Sequence, residues 1–294
     1  MKKIIKPIAA LSLALNLAAL SPSRYVNAVM EENIDSDECF QEDGVLGDIF
    51  DIDNIKEIFS SFSDEGELNW YYVGKGKDKI AEGPKESVGF LSENAAYYLG
   101  DTSKKVLYLT FDEGYENGNT GKILDVLKEC KVPAAFFVVK PYIDTQPDLV
   151  KRMVDEGHIV ANHTVHHPSV AKISDKNKFD AELNGVADAY KGLIGQDMPK
   201  FFRPPMGKYS KKSLKMTKDL GYKTIFWSFA YKDWLVKDQP SEAYAIEKIC
   251  KGAHPGSIML LHAVSDTNAK VLGQVLKTLQ SEGYEFKSLN DLPQ

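Results

Sequence analysis

From Lys104 onward, short runs of consecutive apolar residues alternate with longer stretches whose apolar residues recur at helical spacing. The runs predict seven strands: Val106–Asp112, Ala134–Val138, Ile159–Asn162, Lys200–Phe202, Lys223–Ser228, Ser257–His262 and Tyr284–Ser288. Of the helices between them, one is opened by Thr145 with Asp148, buries Leu149, Val150, Met153 and Val154, and ends at Gly157. Ser210 opens another, closed by Gly221, and a third carries Leu272, Val275, Leu276 and Leu279 up to Gly283. Strands alternating with helices predict a parallel α/β architecture, either a sheet or a barrel. Runs with no polar break, such as Ile258-Met259-Leu260-Leu261, suit strands covered on both faces.

The pattern before Lys104 differs. Lys2, Lys3 and Lys6 precede an apolar run from Ile8 to Leu20, and Val26-Asn27-Ala28 offers a small-residue cleavage site, so residues 1–28 read as a secretory signal. The run is shorter than the roughly 20 residues of a membrane span; an uncleaved anchor is the alternative. Both readings export the rest of the chain, to the cell wall or to the space between the membranes of a spore. Residues 29–67 form an acidic, flexible leader. Residues 68–103, with Asn69-Trp70-Tyr71-Tyr72 and Ala95-Ala96-Tyr97-Tyr98-Leu99-Gly100, form an extension whose aromatic residues pack on the main domain.

Charge sharpens this division. The net charge is −6, but residues 31–67 hold fourteen acids and a single Lys, so the remainder after residue 67 is slightly positive. A near-neutral body with no basic stripe excludes a nucleic-acid partner, and no protein partner is indicated. Three cysteines, Cys39, Cys130 and Cys250, are too few and odd in number for a disulfide framework, and none has a partner at metal-ligand spacing.

Polar residues stand at the ends of five predicted strands: Asp112-Glu113, His163, Arg203, Ser228 and His262. In a parallel barrel these ends converge on one face, where barrel enzymes hold their active sites. His163 and His167 are four residues apart, which places two imidazoles on one side of a helical turn. With a carboxylate they make a common donor set for zinc. His158 and His166 read as structural, and His254 has no role.

The order of these residues resembles the polysaccharide deacetylases (NodB homology, carbohydrate esterase family four). Thr110-Phe111-Asp112-Glu113-Gly114 is similar to the first motif of the family and Asn162-His163-Thr164-Val165-His166-His167-Pro168 to the second. Phe202-Arg203-Pro204-Pro205-Met206-Gly207 resembles the third, Trp227 through Asp233-Trp234 the fourth, and Leu260-Leu261-His262 the fifth. The resemblance implies a distorted parallel (β/α) barrel of about seven strands over residues 104–290, with an N-terminal extension. Tyr97–Thr102, Gly114–Gly118, Lys232-Asp233-Trp234 and Phe286–Leu289 are similar to the branch acting on muramic acid in spore-cortex peptidoglycan.

That branch implies hydrolysis of the N-acetyl group of peptide-free N-acetylmuramic acid, leading to muramic δ-lactam, with a peptidoglycan strand as partner. Carried over residue by residue, it makes Asp112 the general base and His262 the general acid, with Arg203 orienting Asp112 and Asp233 orienting Arg203. His163 and His167 would hold a divalent metal, zinc first. Trp234, Leu261 and Tyr209 would line the substrate pocket. The sequence departs from the family at Glu113, where the family has a metal-binding Asp. A Glu is one methylene longer and either still binds or swings out of the site, which puts metal dependence in question.

Two other readings compete: an N-acetylglucosamine deacetylase of vegetative wall or chitin-like glycan, and a non-catalytic glycan-binding protein. For a muramic substrate, the exposed lactyl carboxylate calls for a cation, and Lys140, Lys208 and Lys232 lie beside strand ends or motifs.

Overall fold

The computed structural model describes residues 64–293. The expected signal at 1–28 and most of the expected acidic leader lie outside the described residues. The leader's last residues, 64–67, are not free: Asp64, Glu65 and Glu67 pair with Lys211, Lys212 and Lys208 at 3.4, 2.5 and 3.1 Å.

In the extension, β1 (Leu68–Asn69) is followed by a short helix α1 (Val88–Leu91) and β2 (Ala96–Tyr97). The repeating part then runs β3 (Val106–Glu113), α2 (Thr120–Cys130), β4 (Ala134–Val138), α3 (Lys140–Thr145), α4 (Pro147–Asp155), β5 (Ile159–Asn162) and α5 (Lys176–Ile194). It continues through β6 (Phe201–Phe202), β7 (Lys208–Tyr209), α6 (Lys211–Asp219), β8 (Lys223–Ile225), α7 (Glu242–Gly252), β9 (Ser257–His262), α8 (Asp266–Ser281) and β10 (Glu285–Phe286). All seven expected strands are present, the fourth, fifth and seventh shorter than expected.

The main sheet is parallel throughout, in the order β9-β3-β4-β5-β6-β8-β2, with β10 joining the start of β3. Beyond β8 the chain reaches Phe229, which bridges in parallel to Met259 of β9. That bridge and the hydrogen bonds beside it close the curl into an irregular barrel, as the family resemblance implied.

Because side chains alternate across a strand, each strand faces two environments. Val106, Tyr108, Ala135, Phe137, Ile159, Ala161, Phe201, Ile225 and Ile258 fill the barrel interior. Leu107, Leu109, Phe111, Phe136, Val138, Val160, Met259 and Leu261 face outward, onto the apolar sides of the helices. This parity decides which polar residues at the strand ends meet.

The aromatic residues of the extension pack against the chain just beyond β8. The Trp70 ring stacks on Phe226 at 4.3 Å and its indole N–H donates to the Trp227 carbonyl at 2.9 Å. β1 pairs antiparallel with β7. Ser210 caps α6, exchanging hydrogen bonds with Ser213. Thr145 does not open a helix: it ends α3, donating to the Pro141 carbonyl at 2.8 Å, and α4 starts at Pro147, where a proline's missing N–H costs nothing.

Candidate active site

Asp112, His163, Arg203 and His262 all have interior parity on, or directly after, β3, β5, β6 and β9. They therefore converge at the C-terminal mouth of the barrel, and three of them line a cleft of about 1120 Å³ with His167, Trp234, Tyr115, Met206 and Leu260. Arg203 lies beneath it, fully buried over the Phe137 ring. Its Nη1 donates to Asp112 Oδ1 at 2.7 Å, its Nε to the Ile225 carbonyl at 2.9 Å and its Nη2 to the Phe226 carbonyl at 3.4 Å. Burial pushes the Asp112 pKa up, but Arg203, then His163 and His262, outweigh it, and the carboxyl titrates below its ordinary value. Asp112 is thus held ionised, with Oδ2 open to the cleft side at 3.7 Å from His163 Nε2.

His163 Nδ1 lies 2.8 Å from the Arg203 carbonyl, which can only accept, so Nδ1 carries the proton and Nε2 presents its lone pair. His167 is brought alongside by a loop, not by the helical turn expected from the four-residue spacing. Thr164 and His167 themselves take left-handed φ angles of 72° and 57°. The loop is held by Asn162, whose side chain accepts from the Thr164 N–H at 3.0 Å, and by the Thr164 hydroxyl, which accepts from the His167 N–H at 2.9 Å. The two imidazole rings stand 4.9 Å apart, edge to face. Burial lowers both pKa values, that of His163 to about 4, so both rings are neutral, the form that binds a metal.

Across the cleft, His262 Nδ1 donates to Asp233 Oδ1 at 2.7 Å. Burial opposes a charge on His262, but the Asp233 hydrogen bond and charge prevail, and its pKa lies above the ordinary value. Asp233 is fully buried and also accepts from the Asn268 side chain at 2.6 Å. The Trp234 ring stands 5.4 Å from the His262 ring.

Asp233, Leu261, Tyr209 and Ser228 stand otherwise than expected, and Glu113 takes the second of the two positions left open for it. Asp233 orients His262, not Arg203, which the Ile225 and Phe226 carbonyls hold. Glu113 is turned away: adjacent residues on a strand point to opposite faces, so it lies behind the sheet near Thr120 and Glu116, fully buried, with Oε2 unpartnered. Burial, then Glu116 and Asp112, raise its pKa well above the ordinary value. Leu261 faces the helices for the same reason of parity, and Leu260 faces the cleft. Tyr209 is buried beneath Trp70 and Phe226, its hydroxyl bonded to Ser87. Ser228 also stays out of the cleft, bonded to Ser257 at 3.2 Å.

Two contributors escaped the reading of the sequence. Met206, with a left-handed φ of 58°, reaches the rim, and Asn268 ties Asp233 to the start of α8. Strand alternation alone would have chosen Leu260 over Leu261; nothing in the sequence marks Asn268.

Among the described residues no three His, Cys, Asp or Glu side chains form a ready metal cage. Two adjacent neutral imidazoles do fit two positions of a divalent ion, leaving others for water and substrate.

A barrel that sets an ionised carboxylate and a carboxylate-backed imidazole about a pair of neutral imidazoles defines a class, the metal-assisted hydrolases of carbonyl compounds. Residues 99–225 match the polysaccharide deacetylase family. The chain belongs to that family, whose members are metal-assisted hydrolases acting on N-acetyl groups. It is 42% identical over 226 residues to the peptidoglycan-N-acetylmuramic acid deacetylase PdaA of Bacillus subtilis, covering 76% of this chain and 85% of that one. It is 48% identical over 225 residues to an uncharacterized 30.6 kDa protein of Geobacillus stearothermophilus, covering 76% and 84%. The solved structure of B. subtilis PdaA, a family 4 carbohydrate esterase, superposes with a TM-score of 0.75 at 41% identity, over 78% of this chain and 97% of that chain.

Proposed function

We propose that the protein is a peptidoglycan N-deacetylase that hydrolyses the N-acetyl group of peptide-free N-acetylmuramic acid. The observation that carries this reading is the 42% identity to PdaA over 226 residues, 76% of this chain. The cleft chemistry agrees with it. Asp112, kept ionised by Arg203, takes a proton from the attacking water. His262, kept protonated by Asp233, gives one to the departing nitrogen, because an amide nitrogen leaves poorly as an anion. Water and the amide thereby become acetate and a free amine. His163 and His167 hold a divalent ion, proposed as zinc, which when bound lowers the pKa of water and polarises the amide oxygen.

The freed amine sits next to the lactyl carboxyl of the same sugar, and closure with loss of water forms the muramic δ-lactam. The site of action proposed is spore-cortex peptidoglycan, reached through export by the signal at 1–28. No helix among the described residues is long and apolar enough to cross a membrane.

The test is mass analysis of peptide-free glycan strands incubated with the purified protein and Zn²⁺. Loss of acetyl from muramic residues supports the proposal. Loss confined to glucosamine residues would move the protein to the other substrate class, and binding without acetate release would make it a glycan-binding protein.

A further inference from the structure

Muramic acid differs from glucosamine by one group, the lactyl ether on the carbon next to the one bearing the acetamide. A side chain that reads its carboxylate must therefore stand beside the catalytic centre. Of the three lysines that the sequence left open for this role, two are elsewhere and engaged. Lys140 pairs with Asp144 at 2.5 Å, and Lys208 pairs with Glu67 at 3.1 Å. Neither lines the cleft.

Lys232 does, and it is the one lysine or arginine among the residues lining the cleft. Its ion pair with Asp238 is 3.7 Å long, between side chains that are 62% and 78% exposed, so little holds the ammonium there. Arg203 is occupied by Asp112 and two carbonyls, and His166 by Glu182 at 2.7 Å.

The backbone that carries Lys232 is anchored on both sides. Tyr231 bonds through its hydroxyl to Asn268, and Asp233 is held by His262 and Asn268. Gln239 donates to the Asp233 carbonyl at 2.9 Å. The stem of Lys232 thus starts from a point fixed relative to His262, while its ammonium is free to meet a ligand.

We propose that Lys232 is the specificity-determining cation of this cleft, receiving the lactyl carboxylate of the muramic residue whose acetamide lies between Asp112 and His262. The proposal rests on the deacetylase reading above. It gives a physical basis for preferring a substrate with a free carboxylate: an ammonium in a cleft pairs with that charge and gains nothing from a neutral group in its place.

The experiment compares peptide-free glycan strands with the same strands after methyl esterification of the lactyl carboxyl. For Lys232→Ala, KM on the free acid is expected to rise about tenfold and the preference for acid over ester to fall by the same factor, about 1.4 kcal/mol, close to the low end for close charge pairs. The value of kcat on the free acid should fall much less. Lys232→Arg should restore most of the preference, and Lys232→Glu should reverse it. An acid-to-ester preference unchanged in Lys232→Ala and Lys232→Glu overturns the role of Lys232 and leaves the deacetylase reading standing. Wild-type protein that releases no acetate from muramic residues in either polymer overturns both.

Discussion

Asp233 grips His262 at two points: Oδ1 accepts from the ring Nδ1 at 2.7 Å, and Oδ2 accepts from the His262 backbone N–H at 2.9 Å. The imidazole is thereby fixed in orientation and tautomer, with Nε2 left to face the cleft. The site consists of two carboxylate-centred halves: Arg203 holds Asp112, the proposed base, and Asp233 holds His262, the proposed acid.

Replacing Asp233 with Asn removes the charge that keeps His262 protonated. Activity should fall by about 10²- to 10⁴-fold, the range for general acid–base catalysis. The pH profile should also change in a set direction. As the proposed general acid His262 must be protonated, so the alkaline limb of kcat/KM should follow its raised pKa; in Asp233→Asn that limb should move to lower pH. Initial rates of acetate release across pH measure both effects.

Asp112→Asn and Asp112→Ala should both lose about 10²- to 10⁴-fold in rate, since neither can accept the water's proton. Their stabilities should differ. Asparagine keeps an oxygen for Arg203 Nη1, whereas alanine leaves a fully buried guanidinium without its partner, costing about 3–5 kcal/mol. Denaturant unfolding of the two variants makes the comparison.

Glu113→Gln should keep both activity and bound zinc, because Glu113 lies behind the sheet. It should change the dependence of stability on pH. A buried carboxyl with a raised folded-state pKa binds its proton more tightly folded than unfolded, so stability is full below the unfolded value near 4.5 and declines as pH rises toward the folded pKa. Thermal midpoints from pH 4 upward should decline in wild type and decline less in Glu113→Gln. Loss of zinc from this variant would return Glu113 to the metal shell.

His163→Ala and His167→Ala should each bind zinc more weakly while remaining folded, as measured by metal content after dialysis. Chelation of the wild type should abolish acetate release, and added Zn²⁺ should restore it in wild type but not in His163→Ala.

By itself the sequence determined the alternation of strands and helices, the order of the five motifs and the identity of the groups proposed to carry the chemistry. These are local properties: an apolar run such as Ile258–Leu261, a cap such as Ser210, a run of residues around Arg203. Only the tertiary structure decided which of those groups meet. Asp112 and Glu113 are neighbours in the chain, yet the pleat sends one into the cleft and the other behind the sheet, and the same rule exchanges Leu261 for Leu260. His163 and His167 come together through left-handed loop residues, a conformation that their spacing does not encode. Asp233 reaches His262 because the chain beyond β8 runs alongside β9, where Phe229 bridges to Met259. Local pattern carries the periodicity of an element; the partner across the barrel depends on strand register and loop path, which are set when the whole sheet curls.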